Sequence, residues 1–258
     1  AINEVYDPET DTWETKASMN IARTGLSASV VAGKIYVIGG NRGKPSYAEV
    51  SATEVYDPTT DTWSTAKQIP IPVTAHASAV VDNKIYIIGG SLELTHNQIF
   101  DPKTNTWTTG ASLPMGVDCA AAGVITDSEV QKICVVGGKT NLDAVNLNQI
   151  YNPKTDTWTS GDKMPTSRYG LGVAVLNNTL YAIGGREGWF GSPVSAATEK
   201  YVIHDTNLFP WGLFGLVILA IGIVAVIGKT LYRRRHTGTS NINPLQPRMD
   251  ANSSPQDS

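Results

Sequence analysis

The chain has 258 residues, of which 17% are charged, and its formal net charge at pH 7 is -3. This balance gives no reason to expect nucleic acid as a partner, because binding to a phosphate backbone needs a surplus of Lys and Arg. The two cysteines, Cys119 and Cys134, are too few for a disulfide-stabilised scaffold and too far apart in sequence for a zinc knuckle.

The first element along the chain is an aromatic turn that recurs. YDPETDTW at residues 6–13 returns as YDPTTDTW at 56–63, FDPKTNTW at 100–107 and YNPKTDTW at 151–158. Its Asx side chain can accept a hydrogen bond from the backbone ahead, and its Pro presets φ, so the motif predicts a chain reversal between two strands with Tyr or Phe facing Trp. A calcium loop would need alternating oxygen ligands around a central Gly, so we expect no metal here.

Each repeat contains four strand-like runs, which we label A to D. In the first complete copy they are GLSASVV, KIYVIGG, ATEVY and TWST. Two-residue connections at 32–33, 82–83 and 177–178 predict tight A–B hairpins with positive φ. In the third copy the connection from Thr126 to Gln131 predicts a loop of six residues. The Gly-Gly doublet after strand B opens no helix, which favours close approach between sheets over a phosphate site.

The run count predicts two strands before residue 18, three complete units of four strands, and a last unit with strand C but no Trp. The predicted boundaries are a half blade at 1–17, blades at about 18–67, 68–111 and 112–162, and a partial blade at 163–204. Because an open sheet edge invites aggregation, we expect sequence upstream of Ala1 to supply the missing D strand.

The four copies in phase resemble the kelch repeat family. The positions that carry the resemblance are the glycine doublets and the aromatic pairs: Gly39, Gly40, Gly89, Gly90, Gly137, Gly138, Gly184, Gly185, Tyr6, Trp13, Tyr56, Trp63, Phe100, Trp107, Tyr151 and Trp158. The resemblance covers residues 1–204 and implies an all-β fold: a kelch-type β-propeller of four-stranded antiparallel blades around a central channel. In this chain the ring would be incomplete.

A different segment follows the repeats. Residues 208–228 form a run of 21 residues without a charge, which as a helix is long enough to cross a bilayer. Trp211 and Tyr232 near its ends, with Lys229 and the cluster 233–235 after it, predict one transmembrane helix over residues 205–230. Residues 231–258 are predicted to be a disordered cytosolic tail. We therefore expect a single-pass protein of the cell membrane with its repeats outside.

The connection between strands B and C is the one that varies in length. From the second Gly of the doublet to the next aromatic it measures 16, 10, 13 and 16 residues, while the C–D turns keep their length. Such variation predicts recognition loops. The candidates on the rim that these loops share with the D–A connections are Arg23, Arg42, Tyr47, His96, Lys139, Arg168, Arg186 and Trp189. Since aromatics and Arg anchor interfaces, we predict a protein or glycan ligand, no catalytic residue and no cofactor.

The alternative is an enzyme acting on sugars, because kelch-like propellers include oxidases, mutarotases and epimerases, and sialidase-like propellers carry similar turns. Copper chemistry would need converging His ligands, and the four His residues are scattered. His76, at the start of a strand A, is interpreted as a packed strand residue. Two acceptor sequences for N-glycosylation occur, one at Asn177 on a hairpin tip and one at Asn252 in the tail.

The strand register also predicts the state of the two thiols. If Ile125 lies opposite Lys132, then Gly123 lies opposite Cys134, and Cys119 on strand A is about 13 Å away along the ladder. That distance exceeds the reach of a disulfide. We predict two free, buried thiols.

Overall fold

The computed structural model describes residues 1–91, 95–140, 143–188 and 193–203, and in these residues it contains 17 β-strands and no helix. The chain divides into two compact units, Ala1–His204 and Asp205–Ser258. The predicted transmembrane helix and cytosolic tail fall in the second unit, which lies outside the described residues.

The strands form five antiparallel sheets. Strands β1 (Asn3–Asp7) and β2 (Thr12–Lys16) form an N-terminal hairpin. Blade 1 contains β3 (Ser27–Val31), β4 (Lys34–Ile38), β5 (Thr53–Asp57) and β6 (Thr62–Ala66). Blade 2 contains β7 (Ala77–Val81), β8 (Lys84–Ile88), β9 (Asn97–Asp101) and β10 (Thr106–Thr109). Blade 3 contains β11 (Ala121–Asp127), β12 (Val130–Val136), β13 (Asn148–Asn152) and β14 (Thr157–Ser160). Blade 4 contains β15 (Gly172–Leu176), β16 (Thr179–Ile183) and β17 (Thr198–Val202).

Within every sheet the strands pair with their neighbours in sequence. The predicted number and order of strands, two, then three sets of four, then three, is therefore confirmed. The all-β propeller arrangement of antiparallel sheets is confirmed with it.

The repeated turn has the predicted local structure. The Asp7 carboxylate accepts a hydrogen bond from the Glu9 amide at 2.9 Å, and the turns of blades 1 to 3 repeat this contact. Tyr6 lies opposite Trp13 with their ring centroids 5.2 Å apart. In blade 3 the corresponding distance, between Tyr151 and Trp158, is 4.9 Å.

The turn also joins each blade to the sheet before it. Asp61 accepts hydrogen bonds from the Tyr56 hydroxyl at 2.8 Å and from the Ala17 amide at 2.8 Å. The Trp63 indole donates to the Ala17 carbonyl at 2.7 Å. Blades 2 and 3 repeat the indole contact with Trp107 and Trp158. In blades 1 to 3 the recurring turn therefore makes the same hydrogen bonds to the preceding sheet.

The hydrophobic core is divided among the spaces between consecutive blades. Between blades 1 and 2 the Tyr36 and Phe100 rings lie 5.9 Å apart, and the same separation joins Tyr86 to Tyr151 between blades 2 and 3. Cys134 takes the place of this tyrosine in blade 3 and is fully buried against blade 4. Three hydrophobic clusters join the four blades in sequence order.

The third A–B hairpin differs from the prediction. Strands β11 and β12 each extend by two residues and meet in a turn of only Ser128 and Glu129, with φ of 48° and 66°. The prediction of a six-residue loop was wrong because the register set by Ile125 and Lys132 continues outward through the inserted residues. An ion pair between Lys132 and Asp127 accompanies the extension.

The predicted register of the cysteines is confirmed, since Gly123 lies opposite Cys134 and both thiols are free. Cys134 is buried, but Cys119 is only half-buried and precedes β11. Its predicted place on the strand and its full burial were wrong. The chain takes a φ of 51° at Cys119 so that its amide can bond to the Ala75 carbonyl of the neighbouring blade.

A cavity of about 440 Å³ runs along β17, lined by Asp162, Met164, Leu180 and Tyr201 among others. In the complete blades the indole N–H of the D-strand Trp donates to a carbonyl of the preceding blade, four residues after that blade's own Trp. The corresponding position in blade 3 is Asp162, which lines the cavity. The cavity therefore lies where the complete blades carry their D strand.

Candidate ligand-binding rim

The B–C and D–A connections meet above the sheets in short rungs of backbone pairing. In each rung the residue after the glycine doublet pairs with a residue of the D–A connection, and in three blades also with one of the B–C loop. We call this set the rim: Thr24, Asn41 and Glu49 in blade 1, Thr74 and Ser91 in blade 2, Asp118, Lys139 and Ala144 in blade 3, and Tyr169, Arg186 and Val194 in blade 4.

A chain of backbone hydrogen bonds holds the rim in place from blade to blade. The Ala75 amide donates to the Gly25 carbonyl at 2.9 Å, the Cys119 amide to the Ala75 carbonyl at 2.7 Å, and the Gly170 amide to the Cys119 carbonyl at 2.8 Å. All four residues have φ between 51° and 65°. The same backbone conformation is thus built four times, from two glycines, an alanine and a cysteine.

The glycine doublet makes this close approach possible. The Gly40 amide donates to the Val73 carbonyl of blade 2 at 2.8 Å. A Cβ on Gly40 would lie 2.8 Å from the Thr24 carbonyl oxygen, and one on Gly39 would lie 2.5 Å from that of Val73. Both residues also have positive φ, so a larger residue would be strained as well as obstructed. The predicted role of the doublets is confirmed.

In blades 1 and 2 the rim side chains are neutral or anionic and bonded to one another. The Asn41 amide donates to the Thr74 hydroxyl at 3.2 Å, and the Ser91 hydroxyl donates to Glu49 Oε1 at 2.6 Å. Glu49 Oε2 is buried and has no hydrogen-bond partner among the described residues. This oxygen is an acceptor without a donor at the edge of the rim.

In blades 3 and 4 the rim carries opposite charges. Lys139 Nζ lies 3.7 Å from Asp118 Oδ2 and 5.8 Å from the centre of the Tyr169 ring. Burial raises the pKa of the Asp118 carboxyl, and Lys139 opposes that shift. Burial, followed by the Asp118 charge, raises the pKa of Cys119. The thiol is therefore protonated at neutral pH, and the cluster offers charge and hydrogen bonds instead of a nucleophile.

The structure brings together some of the predicted site residues. Arg42 and Tyr47 are exposed on the blade 1 B–C loop, where the Tyr47 side chain is 57% exposed. Lys139 and Arg186 form rungs of the rim. His96 lies just before β9 and is half-buried. Trp189 lies outside the described residues.

Arg23 and Arg168 lie elsewhere, which changes our expectation for them. The Arg23 side chain is fully buried and bonds to Glu54 Oε2 at 2.6 Å and to the carbonyls of Gly39 and Ala52. Arg168 likewise bonds to Glu199 at 2.8 Å. Buried guanidinium groups that are already paired cannot meet a ligand from solvent, so we interpret both as blade-stabilising residues.

The carboxylate partners of these arginines were missed at the sequence level. In blades 2 and 3 the position of the arginine is a valine, Val73 or Val117, and the position of the glutamate is a glutamine. The Gln98 side-chain amide forms two hydrogen bonds with the Ile71 backbone. It accepts from the N–H and donates to the carbonyl, each at 2.9 Å. Gln149 does the same at Met115. Between repeats, Arg together with Glu is replaced by Val together with Gln. This joint replacement was the signal that could have revealed the pair.

His76 contacts a serine hydroxyl, an arrangement that resembles part of a catalytic Ser–His pair. Its Nε2 lies 2.8 Å from the Ser27 hydroxyl of blade 1. The ring is buried, and Nδ1 has no partner among the described residues. Burial lowers the pKa of His76 to about 4. A Ser–His pair without an acid or access to solvent cannot serve a substrate, so His76 is a packed residue between blades, as predicted.

The repeats match known proteins over part of the chain. Residues 3–115 match the KLHDC2/KLHL20/DRC7 Kelch-repeats domain. Human Kelch-like protein 28 is 44% identical over 66 residues, which is 22% of this chain, and an F-box/kelch-repeat protein of Arabidopsis thaliana is 44% identical over 46 residues, which is 18%. The matched segment covers only 12% of the length of each relative.

The solved structure of YjhT overlays with a TM-score of 0.67 and 19% identity, over 79% of this chain and 74% of that one. Together these findings support a kelch-type β-propeller. Both of these curated relatives are named as kelch-like or kelch-repeat proteins.

None of these comparisons supports the predicted transmembrane helix. Over residues 1–91, 95–140, 143–188 and 193–203, no helix of the propeller chain is long and apolar enough to span a membrane. The same residues contain no group of three or more His, Cys, Asp or Glu side chains that could hold a metal ion.

Proposed function

We propose that this chain is a membrane-anchored kelch propeller whose rim binds a protein or glycan ligand outside the cytosol. The observation that carries the proposal is the contrast between backbone and side chains on the rim. The backbone repeats from blade to blade, with the same left-handed residue and the same inter-blade hydrogen bond. The side chains at one rung position are Thr24, Thr74, Asp118 and Tyr169, and at the next Asn41, Ser91, Lys139 and Arg186.

This contrast is what a recognition surface requires. A rigid scaffold that presents mostly different side chains at equivalent positions can match an irregular ligand without moving its backbone. The rim also combines the side chains that anchor interfaces, since Arg42 and Tyr47 are exposed beside it and Lys139 is stacked on Tyr169. Catalysis would instead need several groups converging on one reacting atom.

The membrane and orientation parts of the proposal are supported by sequence. The uncharged run at 208–228 has the length of a transmembrane helix, and the basic residues that follow it favour a cytosolic C-terminus. Lipid is then the second partner of the chain, and the propeller lies on the outer side.

To test the rim, the full chain and its variants in mild detergent are screened for binding to a peptide library and a glycan array. Replacing Arg42, Tyr47 and Arg186 together by Ala should reduce binding of any selected ligand at least tenfold. The matched control replaces Lys103 and Lys154, which are exposed in C–D turns at the other end of the strands. If the control loses binding and the rim variant keeps it, the ligand binds the opposite face and the proposed site is wrong.

A further inference from the structure

We infer that Asn177 is an acceptor for an N-linked glycan, on the propeller face opposite the rim. The residue begins the acceptor sequence Asn177-Asn178-Thr179. It occupies the first position of the turn between β15 and β16, where it is exposed. No hydrogen bond to its side chain is formed by any described residue. The inference rests on the outward orientation proposed above.

The neighbouring asparagine has a different role, which leaves Asn177 available. Asn178 brackets the backbone of Thr126 in blade 3, accepting from its N–H at 2.6 Å and donating to its carbonyl at 2.7 Å. This pair of bonds fixes the hairpin tip against the next blade. The acceptor amide therefore projects from an anchored turn and can carry a substituent without loosening the blade.

Backbone conformation does not require asparagine at residue 177. Asn177 has a φ of 49°, in the left-handed region that asparagine tolerates well. The equivalent residues of the other hairpins, Ala32, Asp82 and Ser128, have φ of 50°, 50° and 48°. Four different residue types thus accept the same conformation.

Apolar side chains near Asn177 are exposed because, among the described residues, no further blade packs on β15 and no D strand pairs with β17. The equivalents of Leu176 in blades 1 to 3 are buried. Leu176, the residue before Asn177, is 62% exposed, and Val175 is 38% exposed. Val202, which pairs with Thr179 on the adjacent strand, is 40% exposed. Because A–B turns and B–C loops lie at opposite ends of antiparallel strands, a sugar at Asn177 would leave the rim open.

The reaction needs a lipid-linked pyrophosphate oligosaccharide as the co-reactant. A bond forms between the Asn177 side-chain nitrogen and C1 of the first sugar, while the bond from that carbon to the pyrophosphate oxygen breaks. The amide gives up one proton, and the lipid pyrophosphate leaves with the bonding electrons. The Thr179 hydroxyl completes the acceptor sequence that a cellular oligosaccharyltransferase reads.

The test is cell-free translation of the full chain, behind a cleavable secretion leader, in the presence of microsomal membranes. One glycan should be added, seen as a mobility shift that peptide N-glycosidase removes. Thr179→Ala should abolish the shift and Thr179→Ser should retain it. Ser254→Ala, which removes the second acceptor sequence at Asn252, should change nothing.

The possible results separate this inference from the proposed membrane topology. A protease-protected propeller that carries no glycan at Asn177 overturns the inference and leaves the orientation standing. Modification of both Asn177 and Asn252 supports the acceptor and contradicts the transmembrane span, because the tail has then crossed the membrane too. Modification of Asn252 alone contradicts both.

Discussion

At the scale of single residues, two equivalent positions of each blade are filled by one of two pairs of side chains. Blades 1 and 4 bury an Arg–Glu pair, whereas blades 2 and 3 place Val and Gln at the same positions. A buried guanidinium needs a carboxylate, and a valine would leave that carboxylate unpaired, so the two positions must change together. In the neutral pair, the Gln side chain still provides an oxygen that accepts a hydrogen bond from the backbone of the D–A connection.

The exchange predicts the outcome of a double-mutant cycle in blade 1. Arg23→Val should lower the free energy of unfolding by about 3 kcal/mol or more, because it leaves the Glu54 charge buried and unpaired. Adding Glu54→Gln should recover most of that loss, since Gln can still accept a hydrogen bond from the backbone N–H of Asn20, as Glu54 does at 2.9 Å. Denaturant unfolding measures both values. Equal losses in the single and double variants would contradict the coupling.

His76 predicts a pH dependence in a defined window. Its folded-state pKa of about 4 lies below the ordinary value of 6.5 because burial disfavours the charged ring. Between these values the unfolded chain binds a proton that the folded chain does not. The free energy of unfolding should therefore fall as the pH is lowered from 6.5 to 4, by as much as about 3 kcal/mol.

The control for this window is His76→Leu, which places at residue 76 the side chain found at Leu26 and Leu171 in blades 1 and 4. Thermal or denaturant unfolding of this variant should lose most of the slope between pH 6.5 and 4. A slope that persists unchanged would assign the effect to other groups.

The sequence was informative about the residues of the repeated turns. The roles of the glycine doublets and of the Tyr–Trp pairs follow from φ preferences and strand register, which act over a few neighbouring residues. The burial of Arg23 did not follow, because its partner Glu54 is 31 positions away. Only a comparison of the two positions across all four repeats would have paired them.

At the scale of elements, the A–B hairpin tips also connect blades. The bonds between Asn178 and the Thr126 backbone exist because β11 extends two residues further than other A strands. Inserted residues were expected to loop out, but they prolonged the ladder because a two-residue turn with positive φ could form at Ser128 and Glu129. Spacing alone does not distinguish a longer loop from two longer strands.

Adjacent asparagines give a matched test of this contact. Asn178→Ala should destabilise the propeller by about 1 kcal/mol, because two hydrogen bonds between blades are lost. Asn177→Ala should cost less than Asn178→Ala, because the exposed Asn177 side chain makes no hydrogen bond to a described residue and the equivalent Ala32 adopts the same backbone conformation. Urea denaturation of both variants provides the comparison. Similar losses would mean that turn conformation, and not the clamp on Thr126, stabilises the tip.

At the scale of the whole molecule, the two ends of the strands have different tasks. The C–D turns and A–B hairpins carry bonds that join blades, through Asp61 and Trp63 on one connection and Asn178 on the other. The rim end joins blades through the repeated backbone hydrogen bonds and through a few side-chain bonds, such as that from Asn41 to Thr74, while most of its side chains vary. This division explains why the sequence predicted the scaffold in detail but narrowed the proposed ligand site only to a rim.

The proposed topology predicts which end of the chain a protease reaches in intact cells. With a tag placed at Ser258 and the charged cluster 233–235 in the cytosol, added protease should remove the propeller and leave a short tagged fragment. The blades should be cut slowly, because their strands are paired, so the first cleavage is expected between the propeller and residue 208. Blotting for the tag before and after detergent permeabilisation measures this. The fragment must disappear once detergent admits the protease, or the tag was merely resistant. A full-length tagged chain in treated intact cells, degraded only after permeabilisation, would place the propeller in the cytosol and remove the basis for an external ligand.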